Sequence, residues 1–205
     1  MPVFDQSFYQ VRLEWGIDGL ARLAPADVVV VVDVLRFTTA ATDAAARGDS
    51  FPLDHSGSVN GAPLAAAATG ALVLAGSLRN AGAVARAIMA EQHRLGGRVS
   101  VAVLPAGERA KDAADTIRFA IEDQLGAGAI IAALADLGID HISPEAAVAC
   151  ESFRALRGAV RHLLTASGSG RELVERGLRD DVLHAAELDA SDAVPVLRDG
   201  AFAPA

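Results

Sequence analysis

The chain has 205 residues and a formal charge of −8, and 52% of its residues are hydrophobic but only 4% aromatic. That length suits one large domain or two small lobes, and either can bury a real core. The acidic balance excludes nonspecific nucleic-acid binding, which needs surplus Lys and Arg to neutralise phosphates. A core built from Ala, Val, Leu and Ile points to layered α/β architecture and away from all-β folds.

Residues 1–10 lack the basic start and apolar centre of a signal peptide, and no apolar run is long enough to span a bilayer, so a soluble, cytoplasmic protein with no membrane partner is expected. Residues 10–15 alternate polar with apolar and read as an edge or half-exposed strand. A short helix over 17–23 leads through Pro25 into Val28-Val29-Val30-Val31-Val32, five β-branched residues in a row. A run without polar alternation is the pattern of a strand covered on both faces, at the centre of a parallel sheet. An alanine-rich helix over 39–47 follows, stopped by Gly48.

Residues 49–61 have turn chemistry and no periodicity, and read as loop ending in Asn60-Gly61. A short helix over 62–69, a strand over 71–75, a helix over 81–95 and a strand over 99–104 come next. Residues 116–137 read as a long helix with Gly126 and Gly128 marking close packing or a bend. Ser143-Pro144-Glu145 is a helix start, with serine as N-cap and proline in the first position. Further short helices up to His184 and brief extended pieces at 187–189 and 194–197 complete the chain. The expected fold is three-layer α/β/α with a largely parallel central sheet, in a single domain made of a sheet-bearing part (1–140) and a mostly helical part (141–205).

Repeated strand, loop and helix deliver all the strand ends to one edge of the sheet, which is where such folds bind ligands. Four loops meet there: residues 33–39, 60–61, 77–80 and 107–112. Asp33 ends the valine strand, and a carboxylate there costs several kcal/mol unless it is paired or binds a cation. It could form an ion pair with Arg36 or be solvated. Its company favours function: Arg36 offers a planar fork for phosphate or carboxylate, and Thr38 and Thr39 add hydroxyls beside free helix amides. Gly61, Ser77 and Glu108 are the further binding candidates on these loops.

Cation plus anion is the pairing that phosphoryl chemistry needs. A magnesium ion would draw on oxygen ligands from Asp33, Glu108, Asp112, Glu122 and Asp123, using only one or two of them with water and substrate oxygens. By pattern alone Glu122-Asp123 reads as an exposed helix face, Asn80 as a helix cap and Asn60 as a turn residue. The five histidines are scattered without zinc-site spacing, and the one cysteine, Cys150, reads as a small buried hydrophobe. Ser167-Gly168-Ser169-Gly170 lacks a P-loop lysine and reads as a helix cap.

The ordered set Asp33-Val34-Leu35-Arg36-Phe37-Thr38-Thr39, Gly76-Ser77-Leu78-Arg79-Asn80-Ala81, Ala106-Gly107-Glu108 and Glu122-Asp123 with Gly126-Ala127-Gly128 resembles the 2-phosphosulfolactate phosphatase family. The tail, from Ser167-Gly168 through Asp180-Asp181-Val182 to Val194-Pro195, extends the resemblance over nearly the whole chain. The resemblance implies a magnesium-dependent acid phosphatase acting on a small phosphorylated organic acid, and a homo-oligomer. It makes Asp33, Glu122 and Asp123 candidate metal or catalytic carboxylates, and Arg36, Thr38, Asn60 and Asn80 phosphate or substrate contacts. Two departures stand out. Members often show Thr-Thr-Asn-Gly-Thr where this chain has Ser58-Val59-Asn60-Gly61-Ala62, and the segment between Gly48 and Ser58 is much shorter. The second motivates an alternative, a non-catalytic anion-binding or assembly protein that keeps the fold.

Overall fold

The structure, a computed structural model, describes residues 3–54, 56–110 and 116–205. In chain order the elements are β1 (Val11–Leu13), α1 (Gly16–Arg22), β2 (Val28–Val32), α2 (Phe37–Ala46), β3 (Phe51–Pro52), α3 (Gly61–Ala67), β4 (Leu72–Gly76), α4 (Ala81–Leu95) and β5 (Val101–Pro105). Then come a small antiparallel pair, β6 (Glu108–Arg109) and β7 (Ile117–Arg118), and α5 (Ile121–Asp136). The chain closes with α6 (Pro144–Leu156), α7 (Val160–Ala166), α8 (Gly168–Glu175), α9 (Arg179–Ala185), β8 (Pro195–Arg198) and β9 (Ala201–Pro204).

Seven strands form one sheet in the order β1-β5-β2-β4-β8-β9-β3. The first four are parallel; β8, β9 and β3 extend the sheet antiparallel beyond β4. The valine strand β2 is hydrogen-bonded on both sides, to β4 and β5, and all five valines are buried. Their side chains alternate between two cores, as the pleat requires. Val28, Val30 and Val32 pack with α4, α5 and the C-terminal helices, whereas Val29 and Val31 pack with Leu23, Phe37, Leu64 and Phe202 on the α1–α3 side. Each buried valine contributes roughly 1.5–3 kcal/mol, so a run that lacks any polar side chain has two apolar faces to fill; β5 divides between the same two cores, Val101 and Val103 on one face and Ala102 and Leu104 on the other. The result is the α/β/α layering that the composition implied.

The glycines inside α5 permit close approach and no bend. A Cβ at Gly126 would lie 2.7 Å from Val34 and 2.9 Å from Val32, and one at Gly128 would lie 2.2 Å from the Ala149 carbonyl oxygen. Helix α5 therefore runs unbroken, seated on β2 at one end of its glycine pair and against α6 at the other. The Ser143 hydroxyl accepts from the Ala146 amide and caps α6, with Pro144 at its start.

Several pieces differ from the sequence expectation. The helix expected from residue 116 begins at Ile121, because residues 117–118 pair with Glu108–Arg109 as β7. β1 does lie at a sheet edge, but all three of its residues are buried, because α6 and the Ile142 bridge cover it. Residues 49–61 contain β3, which pairs with β9. The C-terminal extended piece is a hairpin, β8–β9, turned at Asp199-Gly200, where both residues have positive φ, the backbone of a type I′ turn. Residues 187–189 are not a strand. Cys150 is buried in the main core, and no helix among the described residues is long and apolar enough to cross a membrane.

Candidate active site

The chain leaves β2 into α2 on one face of the sheet, and leaves the neighbouring strand β5 towards α5 on the other. Divergence of two adjacent loops opens a crevice at the carboxyl ends of the strands. A cleft of about 610 Å³ lies there, within the size range of small-molecule sites.

Asp33 stands at its floor, 8% exposed. Thr38 fixes its main chain: the Thr38 hydroxyl donates to the Asp33 carbonyl (2.9 Å), and the Asp33 amide donates back to the Thr38 oxygen (3.1 Å). The Asp33 carboxylate accepts from the Ser58 hydroxyl and the Gly61 amide, both at 3.1 Å. Gly61 is required at this contact, since a Cβ would fall 2.6 Å from Asp33 Oδ2 and 2.4 Å from the Phe37 ring. The short helix α3 thus brings its first amide directly onto the carboxylate.

Asp123, in the first turn of α5, ties the two diverging loops together. Its Oδ1 accepts from the Val34 amide (2.8 Å) and its Oδ2 from the Gly107 amide (2.9 Å). Glu122 beside it is 3% exposed and also lines the cleft. Neither residue faces solvent as an ordinary helix surface does, because α5 is buried on nearly every side from Glu122 to Ala132. Burial pushes the Asp33 carboxyl up to about 6, against the pull of Ser58 and the Phe37 and Gly61 amides, with the Glu108 charge adding to the rise. Asp123 is raised well above the usual carboxylate range, first by burial and then by the charges of Asp33 and Glu122.

Two buried carboxylates held together against their own repulsion, with a third alongside, form a hard anionic oxygen set that suits a divalent cation. Among the described residues no group of three His, Cys, Asp or Glu closes around a metal by itself. Water and substrate oxygens would have to complete the shell, as is usual for magnesium. Asp112 lies outside the described residues.

Basic side chains line the opposite wall. Arg36 does not pair with Asp33; its guanidinium reaches Asp181 of α9 at 2.5 Å. Deeper along the same wall His184 Nε2 meets Asp43 Oδ2 at 2.8 Å. Asp43 also approaches Arg79 (3.4 Å), which pairs with Glu187 and donates to the His184 carbonyl. Asn60 lines the cleft with its Oδ1 buried and unpartnered, and Glu108 accepts from the Ser169 hydroxyl of α8 at 2.8 Å.

Of the residues singled out in the sequence, Asp33, Arg36, Thr39, Asn60, Glu108, Glu122 and Asp123 line this cleft together. Thr38 and Gly61 sit just behind it, acting on Asp33. Ser77 and Asn80 are not in it. The Asn80 carboxamide accepts from the Ser77 amide and hydroxyl and donates to the Ala75 and Ala193 carbonyls, pinning the loop after β4 to the C-terminal segment without capping α4. Sequence reading passed over Ser58, Asp43, Ser169, Arg176, Asp181 and His184, all of which line the cleft. The available signal was the spacing of Ser169, Glu172, Leu173 and Arg176, which puts them on one face of α8.

The fold is that of an α/β protein with an acidic pocket, an arginine at its rim, at the switch point of its parallel sheet. A model of the family described as 2-phosphosulpholactate phosphatase matches residues 58–200, well over half the chain. The chain belongs to that family, and the family's chemistry is that of a phosphoric monoester hydrolase. Asn60, Glu108, Glu122, Asp123 and all of α8 and α9 fall within the matched span. Asp33 and Arg36 precede it and reach the same cleft through the fold.

Proposed function

We propose that this cleft hydrolyses a small acidic phosphomonoester such as 2-phosphosulfolactate with magnesium as cofactor, Asp33, Glu122 and Asp123 being its metal-binding and catalytic carboxylates. The observation that carries the reading is the buried pair Asp33 and Asp123, brought together from the loop after β2 and the first turn of α5 with Arg36 across the cleft. A cation bound there would neutralise phosphate oxygens and offset the mutual repulsion of the carboxylates.

The chain's own residues do the rest. Arg36 has a planar fork for two phosphate oxygens, and release from Asp181 frees it for that use. The Asn60 carboxamide oxygen accepts from a substrate hydroxyl or a water. Asp33 sits at the floor of the cleft, where its carboxylate can accept a proton from the attacking water. Asp123 keeps the loops after β2 and β5 at a fixed separation, and Thr39 holds the first of them by donating to the Val34 carbonyl at 2.8 Å.

The test is phosphate release from phospholactate-like compounds. Activity that requires magnesium and falls at least a hundredfold in Asp33→Asn supports the reading. Full activity in chelator, or in that variant, overturns it, and tight anion binding without turnover of any phosphoester would instead support a binding protein.

A further inference from the structure

The face of α8 that borders the cleft ends in Arg176, one helical turn beyond Glu172 and Leu173. Its neighbours in the cleft are committed: Arg36 to Asp181, His184 to Asp43, and Ser169 to Glu108. Arg176 is exposed and, among the described residues, its guanidinium has no hydrogen-bond or ion-pair partner, although Glu108, Glu122 and Asp181 line the same cleft. Only its backbone amide is engaged, closing α8 against the Glu172 and Leu173 carbonyls. A permanently charged, planar donor standing unpaired at the wall of an acidic pocket is unlike Arg36, the other arginine among the described residues that line it. The carboxylate floor repels anions, so a second anionic group on a ligand gains from the site only where a cation remains unspent.

We propose that Arg176 is a specificity-determining residue that binds the second anionic group, a carboxylate or sulfonate, of a phosphorylated acid whose phosphate lies at the Asp33 end of the cleft. This rests on the reading of the cleft as the phosphate site. A substrate with one anionic group engages the floor and Arg36 alone; one with two also spans to α8. Because Arg176 is exposed and its guanidinium is unpaired among the described residues, its removal leaves the fold intact and acts on selectivity alone.

The experiment compares 3-phosphonopropionate with propylphosphonate, which has the same chain without the carboxylate, by titration calorimetry in magnesium. Wild-type protein should bind the first at least tenfold more tightly. In Arg176→Ala that ratio should fall to about one with propylphosphonate affinity unchanged, and Arg176→Lys should keep part of it. Equal binding of the two by wild type, failure of both to bind, or a ratio that survives in Arg176→Ala overturns the inference. If the ratio behaves as stated while no phosphomonoester is turned over, the hydrolase reading fails and the role of Arg176 stands.

Discussion

Replacing Gly61 with alanine tests how tightly the site depends on α3. The added methyl would lie 2.4 Å from Phe37 Cδ1, 2.6 Å from Asp33 Oδ2 and 3.0 Å from Asp33 Cβ, against the roughly 3.5–4 Å of an ordinary carbon contact. Something must move by about 1 Å. The Phe37 ring is hemmed in by Phe51 and Phe202, so the α3 amide and the Asp33 carboxylate separate instead, losing the 3.1 Å hydrogen bond. Overpacking of this kind costs about 1–3 kcal/mol, and a displacement of about 1 Å at a reacting group costs on the order of a hundredfold in rate. Urea unfolding should therefore show a loss of about 1–3 kcal/mol, while turnover falls far more than the small unfolded fraction explains. Gly97→Ala, with nothing within 4 Å of its added methyl, is the control and should change neither. Wild-type turnover in Gly61→Ala would refute the assignment of Asp33 to the chemistry.

Three further outcomes follow from the same contacts. In Gly128→Ala the methyl meets the Ala149 carbonyl at 2.2 Å, so stability should fall by about 2–3 kcal/mol in urea with the kcat of folded protein unchanged; a kinetic defect would mean that α6 packing reaches the cleft. Ser143→Ala removes the cap of α6 and should cost about 1 kcal/mol in thermal unfolding, and no loss would show the cap to be replaceable. In chelator, Asp33 binds its proton more tightly in the folded chain, where burial raises its carboxyl to about 6, than an ordinary aspartate with a value of 3.8. Its stabilising contribution is therefore complete at low pH and lost as pH rises from about 4 to 6. The difference in Tm between Asp33→Asn and wild type should grow across that window in favour of the variant, and a flat difference would contradict the burial account.

What was legible in the chain was mostly local. Five valines without a polar partner specify a strand with two dry faces, and Ser143-Pro144 specifies a cap; both need only near neighbours. Glu122-Asp123 illustrates what was not. An acidic pair beside Gln124 on a helix has the pattern of a solvated surface, and only the seating of Gly126 on Val32 and Val34 turns that helix inward. Asn80 failed as a ligand candidate for a similar reason, since the Ala193 carbonyl it reaches lies 113 residues away. The Asp199-Gly200 dipeptide was a readable hairpin signal, but its consequence, strand β3 inside an apparent loop, depended on pairing with β9. The wall contributed by the C-terminal helices was hardest to see, because Arg176, Asp181 and His184 reach the cleft by way of short helices whose docking no local pattern encodes.

The most direct measurement is a crystal structure of the protein grown with manganese, as a visible stand-in for magnesium, and phosphate. The account predicts an anomalous peak beside Asp33 and Glu122 with the phosphate between it and Arg36. A peak elsewhere, or a cleft without metal at saturating manganese, would contradict it.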